Sequence, residues 1–515
     1  MCGLTPGWSP STTGTRSRPA VIMADTHPAD LTLRAAADRL RRGRLSAADL
    51  TDACLERIDA RDARYGGWLH VYRAQARQAA RDSDARHRVG DRLGPLDGVP
   101  IGLKDVIGAA GHPLTGDSVA LTGNLATQDA GAWARLRAAG MVLLGHLHCG
   151  EFACGTWGRN PWHPDFSPGG SSSGSGVALA TRTVPATLGT DTRGSIRNPC
   201  AQNGVTGVKP SFGMVSARGI IPLAVSYDVV GPMARTAADC ATLLGALAEL
   251  PGLPWPAGPR SGARPVAGAR IGVPRLGGLL SDGVGEVFDR FSRELTALGA
   301  VPVPIERPAN PLEADGGWGG YRAIIGAEAR AMHAQFADRQ LLLRREFRDD
   351  FPPLLDPAAT AADYVDAQRQ RVELADRWRD IVEAGDLQAI AEPCATGEIW
   401  RAGASPRDPS APPRLYGMWS DTNFPVVCLP AGRSPVDSGP VGVQLIGLPH
   451  TEPMLLQLAI DYQAATGYHL SEPPGLDDHT APDYVGPDRP AAGPQPPLRV
   501  PVDPFDIRYG VGGRP

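Results

Sequence analysis

Lys104 and Lys209 are the only lysines in a chain of 515 residues whose other basic side chains, out of 51, are all arginine. A guanidinium keeps its charge at every working pH, whereas an ammonium can be made to lose its proton by burial. Lysine is therefore expected to survive such a bias where an amine must act as a base. Lys104 sits in the apolar run Val99-Pro-Ile-Gly-Leu-Lys-Asp-Val-Ile107, a costly place for a charge. The plainer alternative is a lysine whose stem packs and whose head reaches water. Two serine-bearing segments follow. Residues 168–176 read Pro-Gly-Gly-Ser-Ser-Ser-Gly-Ser-Gly, and residues 188–199 read Leu-Gly-Thr-Asp-Thr-Arg-Gly-Ser-Ile-Arg-Asn-Pro. Alone, the first reads more often as a flexible linker than as a site. It lacks the Gly-Lys-[Ser/Thr] of a phosphate loop. In the second, an apolar stretch runs into a turn with a serine, an aspartate and two arginines. Successive turn amides beside a serine suit a developing oxyanion. Lys104 and the two segments together offer a serine nucleophile relayed to a lysine base, without histidine.

The elements that must position these groups alternate. Apolar spacing predicts helices over Leu31–Leu55 and Trp68–Arg88, then a strand at Val99–Leu103. Period two puts Val99, Ile101 and Leu103 on one face of that strand and Lys104 on the other. A helix at Ala130–Ala139 and a short buried strand at Met141–Leu144 precede the serine segments. Beyond them the pattern gives a helix at Ala234–Leu250 and a strand at Ala269–Val273. A helix at Val287–Ala297 and a strand at Val301–Ile305 come next. Residues 318–390 read as charged and helical. Strands at Phe424–Leu429 and Pro440–Ile446 lead to a helix at Glu452–Ala464. Such alternation predicts an α/β fold, a single large domain with a helix-covered sheet. The Pro/Gly-rich stretch 251–268 is the best surface excursion.

Composition narrows the function. Apolar residues make up 42% and charged residues 21%, which suits a globular protein with a large core. A net charge of −4 offers no basic footprint for nucleic acid or an anionic membrane. No run approaches the roughly 18 apolar residues of a membrane span. The eight cysteines are scattered without paired CxxC spacing, as expected of small buried hydrophobes in a reducing compartment, the cytoplasm. His146, His148, Cys149 and Cys154 fit no zinc spacing, so no metal or other cofactor is expected. Residues 1–27 read as a disordered extension, with Met23 a candidate start, and residues 473–515 as a Pro-rich tail. The catalytic domain is expected over 28–472.

The motifs resemble those of the amidase signature family of serine hydrolases, over roughly residues 30–472. They are Gly98-Val-Pro-Ile-Gly-Leu-Lys-Asp105, Pro168-Gly-Gly-Ser-Ser-Ser-Gly-Ser175, Gly189-Thr-Asp-Thr-Arg-Gly-Ser-Ile-Arg197, Gly207-Val-Lys-Pro210, Ser226-Tyr-Asp-Val-Val-Gly-Pro-Met233 and Gly442-Val-Gln-Leu-Ile-Gly447. The resemblance implies a central mixed, twisted sheet with helices on both faces. It also implies a Ser–Ser–Lys triad: Ser195 as nucleophile, Ser171 after a cis peptide bond as the bridge, and Lys104 as the base. The amides of Thr192, Arg193, Gly194 and Ser195 would form the oxyanion hole. Gly170, Ser172, Asp191 and Arg197 would support the site, and Lys209 would be structural. The expected activity is cleavage of a small-molecule amide, ester or carbamate, with a homodimer common in the family.

Arg193 stands where the family usually has glycine. If that position needed a positive φ the arginine would be strained; if not, its side chain could reach the pocket and favour an anionic substrate. The segment Glu151–Pro168 is shorter than the usual family loop, and Trp157, Trp162 and Trp318 are candidates to line a more open mouth. Two other readings stand beside a hydrolase. One is a glutamine-dependent amidotransferase subunit with a partner protein, a relative that carries a Tyr- and Asn-rich glutamine-binding stretch. Residues Tyr321–Arg330 do not show that stretch. The other is a non-catalytic protein on the same fold.

Overall fold

The computed structural model describes residues 26–250, 252–260, 266–313, 319–334, 342–344, 359–402, 413–477 and 482–486. Residues 1–25, Trp318 and most of the Pro-rich tail lie outside them.

Eleven strands form one sheet: β1 (Trp68–Val71), β2 (Pro100–Lys104), β3 (Val142–Leu147), β4 (Ala186–Asp191), β5 (Thr206–Lys209), β6 (Val229–Ala234), β7 (Arg270–Pro274), β8 (Val301–Ile305), β9 (Ala389–Pro393), β10 (Val426–Arg433) and β11 (Pro440–Ile446). Their order is β1-β3-β2-β4-β6-β5-β10-β11-β9-β7-β8. β3, β2 and β4 run parallel, as do β9, β7 and β8, and the remaining neighbours pair antiparallel. The sheet is thus mixed, with helices flanking it. Every residue of β2, β3, β4, β5, β6, β9 and β11 is buried, so both faces of these strands are covered. β7 and β8 continue the same sheet beyond the excursion at 251–268, so that stretch separates no domain.

Two sequence expectations need correction. The apolar spacing over Trp68–Arg88 resolves into β1 followed by a helix at Arg73–Val89. Trp68-Leu-His-Val71 is a run of β-favouring side chains, and pairing with β3 outweighs helix spacing there. The span Leu31–Leu55 divides into helices Leu33–Arg41 and Ala47–Tyr65, broken at Gly43 with φ 64°. Ser46 starts the second by accepting the Asp49 amide at 2.9 Å, and Gly66 ends it in the left-handed region. β2 is buried on both sides, so the face that carries Lys104 is covered like that of Ile101 and Leu103.

The topology explains why distant motifs meet. β2 and β4 are parallel neighbours, with Gly102 opposite Thr187 and Leu103 opposite Leu188. Their C-terminal ends therefore share one edge of the sheet, the edge where α/β folds place their sites. Lys104 ends β2 and Asp191 ends β4. Asp191 leads directly into the turn holding Ser195. The helix Ser173–Ala180, wholly buried, brings Ser171 and Ser172 to the same place. Among the described residues no helix is long and apolar enough to cross a membrane.

Candidate active site

Lys104 is fully buried. Its Nζ lies 2.8 Å from Ser171 Oγ and donates to Thr190 Oγ1 at 2.8 Å. Among the described residues no carboxylate forms an ion pair with it. Its neighbour Asp105 turns away and accepts from the Thr115 and Asp117 amides at 3.2 and 2.9 Å. Burial pushes the ammonium down to about 8, against the partial support of buried Cys149, Asp228 and Asp191. An amine balanced near neutrality beside a serine hydroxyl can take a proton and return it.

Ser171 is buried and follows a cis peptide bond from Gly170. Only glycine fits at 170: a Cβ there would lie 2.0 Å from the Gly155 carbonyl oxygen. Asn198 Nδ2 donates to the Gly170 carbonyl at 3.3 Å. Ser172 ties three elements together. Its amide donates to the Ser195 carbonyl at 3.1 Å, its Oγ donates to the Thr190 carbonyl at 3.2 Å, and the Thr190 amide donates to that Oγ at 3.3 Å. Ser195 is partly exposed at the head of this assembly, the accessible member of the group.

The turn carrying Ser195 is wound around one carboxylate. Asp191 accepts the Gly194 amide at 2.7 Å, the Ile196 amide at 3.0 Å, and both Nε and Nη2 of Arg197 at 3.0 and 2.9 Å. Arg197, with no exposed surface, continues to the Tyr416 carbonyl at 2.9 Å and Ser420 Oγ at 2.6 Å. Burial alone would raise the Asp191 carboxyl, but Arg197 outweighs it and holds it down to about 2. The Gly194 amide, expected in the oxyanion hole, is thus already engaged by Asp191. The amides of Thr192 and Ser195 make no hydrogen bond among the described residues. Thr192 is held by its side chain, whose hydroxyl donates to buried Asp228.

Arg193 is not among the non-glycine residues with positive φ; the left-handed position is taken by Gly194, at φ 108°. A Cβ at 194 would meet the Tyr416 ring at 2.7 Å. The Arg193 guanidinium sits 4.1 Å from the Tyr321 ring centre and pairs with Glu313 at 3.3 Å and Asp421 at 3.5 Å. Its charge is therefore answered within the protein, which weakens the expectation that it selects anionic substrates.

Lys209 ends β5, buried, with Nζ donating to the Pro210 carbonyl at 3.2 Å. Burial and then Arg197 push it down to about 7. Trp157 stacks on His148 at 4.8 Å and Trp162 donates to the Asn203 carbonyl at 2.9 Å, so both are packed rather than free in a mouth. His146 bonds through both nitrogens, to Tyr72 at 2.6 Å and Ile107 at 2.9 Å, while His148 faces Asp117 at 3.0 Å. No cluster of three metal-ligating side chains occurs among the described residues. Sequence reasoning missed Thr190 as the second partner of Lys104, and Asp228, Tyr416 and Ser420 as anchors of the turn. Thr190 stands as a hydroxyl inside the Gly189–Arg197 motif, and Asp228 as the acid of Ser226-Tyr-Asp. Tyr416 and Ser420 carry no local signal, since only tertiary packing brings them in.

The amidase family model matches residues 49–456. A glutamyl-tRNA(Gln) amidotransferase subunit of Chloroflexus aggregans is 36% identical, the match covering 86% of this chain and 98% of that protein. Its counterpart from Roseiflexus castenholzii is also 36% identical, over 88% and 99%. Among solved structures, native peptide amidase from Stenotrophomonas maltophilia superposes with a TM-score of 0.74 at 30% identity, covering 87% of this chain and 98% of that one. The chain belongs to the amidase signature family. It is an enzyme of the class that acts on carbon–nitrogen bonds other than peptide bonds, as hydrolase or amidotransferase.

Proposed function

We propose that this enzyme cleaves a carboxylic amide C–N bond through an acyl-enzyme on Ser195. The observation that carries the reading is the buried Lys104 amine at 2.8 Å from Ser171 Oγ, beside the Asp191-braced turn. Neutral Lys104 accepts the Ser171 proton while Ser171 takes that of Ser195. Ser195 Oγ bonds to the carbonyl carbon, and the oxyanion is held by turn amides, with those of Thr192 and Ser195 unclaimed among the described residues. The proton returns through Ser171 to the leaving nitrogen as the C–N bond breaks. Water then releases the acid by the same relay. Esters and carbamates fit the same steps. The reading needs no metal or cofactor, and places the enzyme in the cytoplasm, with a homodimer as its expected assembly.

Two uses of this chemistry remain, and different observations favour them. A free-standing amidohydrolase of small molecules is supported by the peptide amidase structure. A role as one component of an amidotransferase, working with a partner protein and drawing ammonia from glutamine, is supported more strongly by the curated relatives than the sequence motifs suggested. Both of those relatives match along nearly their full length. Against it stands Tyr321–Arg330, without the Tyr- and Asn-rich stretch. Turnover of p-nitroanilides, aryl amides, aryl carbamates and glutamine by wild type, Ser195→Ala and Lys104→Ala separates them. Anilide or carbamate turnover lost in both variants supports the hydrolase. Glutamine-derived ammonia alone supports the amidotransferase. Turnover unchanged in Ser195→Ala refutes the mechanism.

A further inference from the structure

A second cleft, of about 390 Å³, opens away from Lys104, Ser171 and Ser195. It lies between the end of β10, the start of β11 and the turn after the last long helix. Its walls include Trp162, Gly204, Arg290, Arg433, Tyr468 and Ser471. Arg433 lies over the Trp162 ring at 5.3 Å, and Arg290 over the Tyr468 ring at 5.3 Å. Each donates to a backbone carbonyl, Arg433 to Ser438 at 2.6 Å and Arg290 to Ala431 at 3.3 Å, and Arg290 also interacts with the Tyr468 hydroxyl. Arg290 Nε is buried and has no hydrogen-bond partner among the described residues. Among the described residues no carboxylate lies within ion-pair distance of either guanidinium. Glu294, one turn from Arg290, instead accepts from the hydroxyls of Tyr462 and Tyr468 at 2.7 and 2.8 Å. The cleft also depends on glycine: a Cβ at Gly432, whose φ is 128°, would lie 2.2 Å from Arg290 Nη2.

We propose that this cleft binds a small aromatic carboxylate. Two guanidinium groups that form no ion pair among the described residues supply the donors that a planar carboxylate takes. The indole and phenol rings that carry them supply flat apolar walls for the rest of the ligand. A partly desolvated arginine without an acidic partner is costly to keep, and a ligand carboxylate completes it.

The probe is benzoate, titrated calorimetrically against the full chain, with benzamide as its neutral counterpart. Wild type should bind one benzoate per chain saturably, and benzamide should show no saturable binding. The Arg290→Gln/Arg433→Gln double variant should bind at least about tenfold more weakly, the loss of charge-assisted contacts, while keeping wild-type turnover at Ser195. Arg433→Gln alone changes an exposed side chain and serves as the folded control, checked by thermal melting; it should weaken binding in the same direction. No saturable benzoate binding, equal binding of benzamide, or benzoate affinity unchanged in both variants would overturn the site. The last result would assign the benzoate to the catalytic centre instead.

Discussion

Replacing Lys104 with methionine keeps most of the side-chain volume and removes the amine. The folded lysine holds its proton only below about 8, while the unfolded one holds it to the ordinary 10.5. Unfolding between those values therefore takes up a proton, and stability rises with pH across that window. At about 1.4 kcal/mol per pH unit, the gap is worth about 3 kcal/mol of penalty below pH 8, relieved as pH rises toward 10.5. The variant lacks this penalty but leaves Ser171 Oγ and Thr190 Oγ1 without a partner, a loss of about 1–3 kcal/mol. At pH 7 the two proteins should then be of similar stability, within about 2 kcal/mol. By pH 10.5 wild type should gain about 3 kcal/mol on the variant. Urea unfolding followed by circular dichroism at the two pH values reads this directly. Turnover should vanish in the variant, and also in Lys104→Arg, whose guanidinium cannot give up its proton. Wild-type kcat/KM should rise with pH to a plateau above about 8, standing near a tenth of it at pH 7. Parallel stability curves, or a flat rate profile from pH 6 to 9, would refute the account of Lys104 as a burial-tuned base.

Asp191→Asn leaves the Arg197 guanidinium buried without a carboxylate, so unfolding free energy should drop by about 3 kcal/mol and kcat should fall with it. A loss below about 1 kcal/mol in urea melts would show that the turn does not depend on that pair. Arg193→Gly should raise KM for acidic and neutral substrates by the same factor, within about threefold, because Glu313 and Asp421 already answer the charge. A loss confined to acidic substrates would restore Arg193 as a selectivity device.

The central architecture was legible because its strands are short apolar runs punctuated by glycine and proline. Val301–Ile305 and Pro440–Ile446 were bounded from the sequence as they are found. β1 was not, since Trp68 and Val71 satisfy both a helical and a strand pattern and only the partner strand decides. The inside and outside of β2 could not be read either, as alternation carries no information in a strand covered on both faces. At the site, lysine scarcity and the two serine motifs named the reactive groups, and parallel pairing of β2 with β4 explains their meeting. What stayed hidden were backbone commitments. Nothing in Arg193-Gly194-Ser195 says that the middle amide belongs to Asp191.

Both lysines are sealed inside the folded protein, Lys104 with no exposed surface and Lys209 with 2%. The native molecule therefore offers amine-directed reagents no side chain to attack. Succinimidyl labels and aldehyde cross-linkers should pass over it apart from the chain terminus. The same reagents become a sensor, since two primary amines appear only when the sheet opens. Acylation of Lys104 and Lys209, counted by mass, would score global unfolding residue by residue, with almost no surface background to subtract.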